Sequence, residues 1–385
     1  MADTAAIDAV LCDAVTVGDV PGVIAAAGTR DGVIYQGAFG QRSLATDAAM
    51  TADTVCWVAS MTKAVTGACV MHLVERGKLE LDAPVAELVP DLGRVQVLDG
   101  FDATGQPLLR APKRKITLRH LMTHTSGYSY DMWNGDVLKF QKLNQIPGVI
   151  SCRNKALATP LTFDPGDRWD YGISIDWAGK VVEAAAGMKL GAYMKAHILE
   201  PLRMSDTGFY VSAEQHTRRA AIHMRTPEGL AATRIEITAE PEFEMGGGGL
   251  YSTAGDYLKF ARMILGGGAL DGTRVLHEET VRLMARNAMG EIRCRALKTA
   301  LPGTSNDVDF VEGMEWGLTF MINPQPLSTG RSAGSLAWAG LANSYYWIDP
   351  ARDVAGVFIT QILPFADVKA LPLFRNFETA VYKSL

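Results

Sequence analysis

The order of strand-like and helical runs predicts an α/β fold: one body built from both ends of the chain, carrying a mainly helical insertion. Two observations carry this. Short β-branched and aromatic runs cluster near the start, at residues 23–28, 33–40 and 55–58, and return near the end, at 315–322, 343–348 and 354–362. Between them the pattern is short helices and long loops. The body is therefore assigned to residues 1–80 and 246–385, and the insertion to 81–245. With 385 residues, 48% hydrophobic and 21% charged, the chain has ample material for one large or two interlocked domains.

In chain order, residues 8–17 read as a short amphipathic helix, and Arg30-Asp31-Gly32 is a hairpin signal between the first two strands. The run 55–58 leads into a helix that stops at Gly77, a residue suited to the left-handed turn past a helix end. Ile116-Thr117-Leu118 leads into a short helical turn with Thr117 as its N-cap. Residues 176–186, ended by Gly187, and 190–199, ahead of Pro201, read as helices. So do 254–265, closed by Gly266-Gly267-Gly268, and the tail from about Asp367.

The helix after residue 58 is apolar or small on nearly every face, so it belongs in the middle of a large domain. Yet it opens with Ser60-Met61-Thr62-Lys63, a hydroxyl and an amine three residues apart on one face. A serine hydroxyl is a weak nucleophile until a neighbouring base takes its proton, and a lysine removed from water has a lowered pKa and serves as that base. The N-terminus of the helix also aims unpaired N–H groups at an oxyanion forming there. The four-letter pattern alone arises by chance about once in 400 residues; its weight comes from a lysine at the head of a buried helix.

Composition narrows the alternatives. The net charge of −5 argues against nucleic acid as a partner. Five scattered cysteines without a C-x-x-C read as reduced thiols of a cytoplasmic protein, and the acidic N-terminus has no signal-peptide character. No run reaches the 18 or so apolar residues of a membrane span. The glycine run Gly246–Gly249 fits neither phosphate-binding pattern. Gly330-Arg331-Ser332-Ala333-Gly334 matches a hydrolase nucleophile elbow, but that fold needs a histidine after the serine, and the last one here is His277. His120 and His124 have zinc-helix spacing without the glutamate, so no metal is expected. His72 reads as a satisfied core or edge histidine.

Several stretches in order resemble the serine β-lactamase and penicillin-binding-protein superfamily. Ser60-Met-Thr-Lys63 is similar to its S-x-x-K, and Leu121-Met-Thr-His-Thr-Ser-Gly127 to its L-x-T-H-T-S-G. The stretch at 198–208 and Gly247-Gly-Gly-Leu-Tyr-Ser-Thr253 also look like family segments. The resemblance implies an antiparallel sheet flanked by helices, with the site between body and insertion. It makes Tyr171-Gly172-Ile173 the counterpart of Y-x-N and Trp338-Ala339-Gly340 the counterpart of K-T-G. Ser60 is then the nucleophile, Lys63 the base and Tyr171 a proton relay, with the N–H of Leu341 joining that of Ser60 as an oxyanion hole.

Two departures point to function. Ile173 offers no amide where the family has asparagine, and Trp338 no cation where it has lysine. An uncharged, aromatic-walled slot suits a neutral ester, which resembles the family VIII carboxylesterases. The expected activity is a serine carboxylesterase acting on small or short-chain esters through an acyl-enzyme, without cofactor, with weak β-lactamase activity beside it. A β-lactamase, a D-amino-acid-specific peptidase and an acyltransferase of the same fold are the alternatives. Tyr128, Trp133 and Trp57 are further pocket residues or core. The ester is the one partner read from the sequence, which is silent on oligomeric state.

Overall fold

A computed structural model describes residues 4–385. An eight-stranded antiparallel sheet runs, from one edge to the other, through Glu315–Trp316, Met321–Ile322, Leu336–Gly340, Ser344–Asp349, Val354–Ile359, Gly22–Gly28, Val33–Ser43 and Ala48–Ala49. The pairing that joins the two ends of the chain is Ile24 opposite Ile359 through Gly28 opposite Ala355. Every residue of Gly22–Gly28 and of Val354–Ile359 is buried, as expected of central strands covered on both faces.

Alternation along Ser344–Asp349 shows what covers each face. Tyr345 stacks on Phe374 of the terminal helix Ala370–Ser384 at 4.6 Å, and Trp347 meets Phe377 of that helix at 5.7 Å. Tyr346, between them, points to the other side, 5.1 Å from Tyr257 of the helix Ala254–Leu265. The first helix, Thr4–Thr16, packs beside the last one. On the opposite side the helix Thr62–Val74 packs against Ser174–Ala186 and Leu190–Met194 of the insertion. The seam between body and insertion therefore runs past Ser60.

Four details differ from the sequence reading. The run 315–322 is a hairpin of two short strands, because the chain reverses between Gly317 and Phe320, whose carbonyl accepts the Gly317 N–H at 2.8 Å. Leu336–Gly340 is a strand in its own right. The run 354–362 divides into Val354–Ile359 and Ile362–Leu363. The insertion also rejoins the body before residue 245: Gly208 bridges Tyr251, Arg219 bridges Val55, and His223 and Met224 pair with Ile362 and Leu363. Arg225 fastens that return by donating to Asp367 at 2.9 Å.

Candidate active site

The strand Cys56–Trp57, paired with Tyr251–Ser252, delivers the chain to a tight turn in which Ala59 takes φ +45°. Ser60 sits in that turn, Ala59–Met61, one step ahead of the helix Thr62–Val74. Its side chain is partly exposed, whereas Lys63 is fully buried. The Lys63 amine has three partners: Ser60 Oγ at 3.1 Å, Tyr130 Oη at 3.1 Å and the Gly247 carbonyl at 2.6 Å. The carbonyl can only accept. A neutral amine has two N–H bonds and one lone pair, so with one N–H given to Gly247 it can donate to one of the two hydroxyls and accept a proton from the other. Burial lowers the Lys63 pKa from the ordinary lysine value, opposed by the charge of Asp176. A neutral, accepting lysine is thereby within reach at moderate pH.

The glycine run serves this arrangement. Its carbonyls and amides are taken up around the start of the helix Thr62–Val74: Thr66 donates to the Gly246 carbonyl at 2.7 Å, Trp57 Nε1 to Gly248 at 2.7 Å, and Leu250 N–H to Thr62 Oγ1 at 3.0 Å. Gly247 has no room for a side chain, since a Cβ there would lie 2.5 Å from Asp176 Oδ2. Its N–H donates to Asp176 Oδ1 at 2.8 Å, and Oδ2 has no partner among the described residues.

Tyr171 and Trp338 meet from opposite sides of the seam. Trp338 Nε1 donates to Tyr171 Oη at 2.7 Å, and the Lys63 amine lies 4.7 Å from the centre of the Tyr171 ring. Burial raises the Tyr171 pKa, while hydrogen bonds with Ser60 and Trp338 pull it down; the balance leaves a neutral phenol. The ring is held by neighbours: His124 at 4.6 Å, Trp133 at 5.7 Å and Trp338 at 4.8 Å between centroids. His124 is fully buried, its ring nitrogens unpartnered among the described residues, and burial holds its pKa well below the usual histidine value. Gly340 lets the strand Leu336–Gly340 touch the turn carrying Ser60, because a Cβ there would stand 2.3 Å from the Val58 carbonyl. Leu341 follows directly, buried beside that contact.

Tyr128 and Ile173, the other two substrate-binding candidates, are both buried. Tyr128 is buried against Trp177, ring centroids 6.2 Å apart, and Tyr130 stands at the amine instead. Ile173 is buried at the head of the helix Ser174–Ala186, where its carbonyl accepts the Asp176 N–H at 3.1 Å. The sequence reading missed Tyr130 and Asp176. Each left a trace: Tyr130 follows Tyr128 by one strand period, and Asp176 is a lone acid in an otherwise apolar helical turn. Ser332 lies in a loop where its N–H donates to Asp349 at 2.8 Å. His120 Nδ1 accepts the Thr117 N–H at 3.2 Å as part of a helix cap. His72 is satisfied by Tyr193 at 2.6 Å. Among the described residues no cluster of metal-ligating side chains exists, and no helix is long and apolar enough to cross a membrane.

Comparison with known proteins agrees with this geometry. The family model described as Beta-lactamase matches residues 7–377. Monacolin J acid methylbutanoyltransferase of Aspergillus terreus is 32% identical over 94% of this chain and 92% of its own length. Lovastatin esterase of Penicillium rubens is 28% identical, covering 96% of each. The solved structure of a simvastatin synthase mutant from Aspergillus terreus superposes with a TM-score of 0.87 at 31% identity, over 99% of this chain and 96% of that one. These relatives are acyltransferases and an esterase on one shared fold. The fold, the serine–lysine turn and the near full-length match agree, and the chain belongs to the beta-lactamase family.

Proposed function

We propose that this protein is a serine esterase that transfers the acyl group of small carboxylic esters through an acyl-enzyme on Ser60. The observation that carries the reading is the buried Lys63 amine 3.1 Å from Ser60 Oγ, beside an uncharged wall in which Trp338 is bonded to Tyr171. Ser60 Oγ attacks the ester carbonyl as its proton passes to Lys63, and the N–H groups of Ser60 and Leu341 receive the oxyanion. The carbon–oxygen bond to the alcohol then breaks, and the leaving oxygen takes a proton from Lys63 by way of a neighbouring phenol, Tyr171 or Tyr130. Water, activated by the same groups, releases the acid.

The absence of a cation at Trp338 favours neutral esters over the anionic β-lactams and peptides of other family members. A second reading is favoured by the likeness to the methylbutanoyltransferase: an alcohol replaces water in the last step. Hydrolysis of a short-chain nitrophenyl ester by the wild type and by Ser60→Ala tests the proposal. Fast turnover that falls to background in the variant is the expected result; equal activity in both overturns it. Repeating the assay with added alcohol separates the two readings, since an acyltransferase yields a new ester. Cephalosporin turnover matching ester turnover moves the assignment to a β-lactamase.

A further inference from the structure

We infer that Asp176 is a positioning residue for the general base: through Gly247 it holds Lys63 against Ser60, and its buried charge steadies the ammonium that forms when Lys63 takes the serine proton. The inference rests on the acyl-transfer reading above and deepens it.

Three observations lead here. The Asp176 carboxylate is fully buried, yet it spends one oxygen on the Gly247 N–H and leaves the other without a partner among the described residues. Buried carboxylate oxygens are normally satisfied, so a bare one calls for a physical reason. The same Gly247 that is fixed through its N–H presents its carbonyl to the Lys63 amine at 2.6 Å, so one residue links acid and base. Gly247 also lacks the side chain that would push the carboxylate away, its Cβ position lying 2.5 Å from Oδ2.

The other titratable groups around the pair carry no charge near neutral pH. Burial raises Tyr130 and Tyr171, and raises Cys152 to about 12. Burial also holds His124 neutral, while Asp131 neighbours Tyr130 and not the amine. Asp176 is therefore the charge that Lys63 faces, its own pKa raised by burial to about 6 against the opposing pull of Lys63 and the Gly247 N–H, so the charge is present above that pH. During acylation the Ser60 O–H bond breaks, the Oγ–acyl bond forms, and the proton creates a cation at Nζ, an atom of a fully buried side chain. A carboxylate already set one residue away offsets that cation with no rearrangement.

Asp176→Asn keeps the shape and the acceptor for Gly247 N–H but removes the charge. Asp176→Ser is the second variant, smaller and still able to accept. The measurement is the pH profile of kcat/KM on a nitrophenyl ester, with melting curves establishing that each variant is folded. Activity needs neutral Lys63, so it rises with pH through the lysine's pKa. Losing the negative neighbour lowers that pKa further. The acid limb is expected to move to lower pH by about one unit, with kcat falling roughly tenfold and KM little changed. A folded variant whose acid limb overlays the wild type overturns the inference, since a merely structural aspartate would leave the profile in place. Failure of the acyl-transfer reading looks different: ester turnover would then survive Ser60→Ala in the wild-type background.

Discussion

Two buried pairs of ionisable side chains, Arg331 with Glu378 and Lys63 with Asp176, are built in opposite ways. Arg331 and Glu378 are 4% and 1% exposed, and the guanidinium places Nε at 2.6 Å and Nη2 at 2.5 Å from one carboxylate oxygen. The pair closes on itself and ties the loop before Leu336–Gly340 to the terminal helix. Lys63 and Asp176 are as deeply buried, yet a glycine separates them. The lysine spends two of its three contacts on hydroxyls, and the aspartate keeps a bare oxygen. The first pair has nothing left to offer and serves stability. The second is kept incomplete, and its unused capacity is what a reacting proton needs.

The comparison can be broken or sharpened by substitution. Lys63→Met should lower ester turnover by about a thousandfold, the middle of the range for general-base loss, with the melting temperature close to wild type. A collapse in stability instead would place Lys63 with the structural pair. Glu378→Ala leaves Arg331 buried and uncompensated, so urea unfolding should show a loss of about 3 kcal/mol with turnover per folded molecule unchanged. If activity falls with the fold intact, the two pairs are not independent. Trp338→Phe keeps the ring and deletes the N–H given to Tyr171. A roughly tenfold fall in kcat is the expected size for one lost hydrogen bond at a reacting group. Smallest of all, Arg30→Ala removes an exposed ion pair with Asp353 at 2.8 Å, and its unfolding curve should overlay the wild type.

Sequence and structure meet most closely where chemistry is local. Ser60 and Lys63 share one turn of chain, so spacing and apolar surroundings drew attention to them, and the family resemblance supplied their expected roles. Tyr171 and Trp338 came from short motifs, and the structure brings them within 2.7 Å of each other across 167 positions of chain. Tyr130 and Asp176 escaped because their partners are remote: Tyr130 meets Lys63 across 67 positions, and Asp176 meets Gly247 across 71. Periodicity does not report such meetings. Tyr128, which the sequence left open between pocket and core, packs on Trp177. The sheet was readable at its long central strands and obscure at its edge, where strands of two residues carry too little pattern.

The pairing of Gly22–Gly28 with Val354–Ile359 also sets an order of assembly. During synthesis Ser60, Lys63 and Tyr171 all leave the ribosome before the neighbour that completes the first strand, which arrives some 330 residues after it, with Trp338 and Gly340 just ahead. Contacts so far apart in sequence are slow to form. A nascent chain carries Ser60 and Lys63 for most of its length without Trp338 or the strand end at Gly340 beside them. On the proposed function, reactivity waits for the last strands: a chain cut short before residue 336 is expected to hold the serine–lysine pair and no working site.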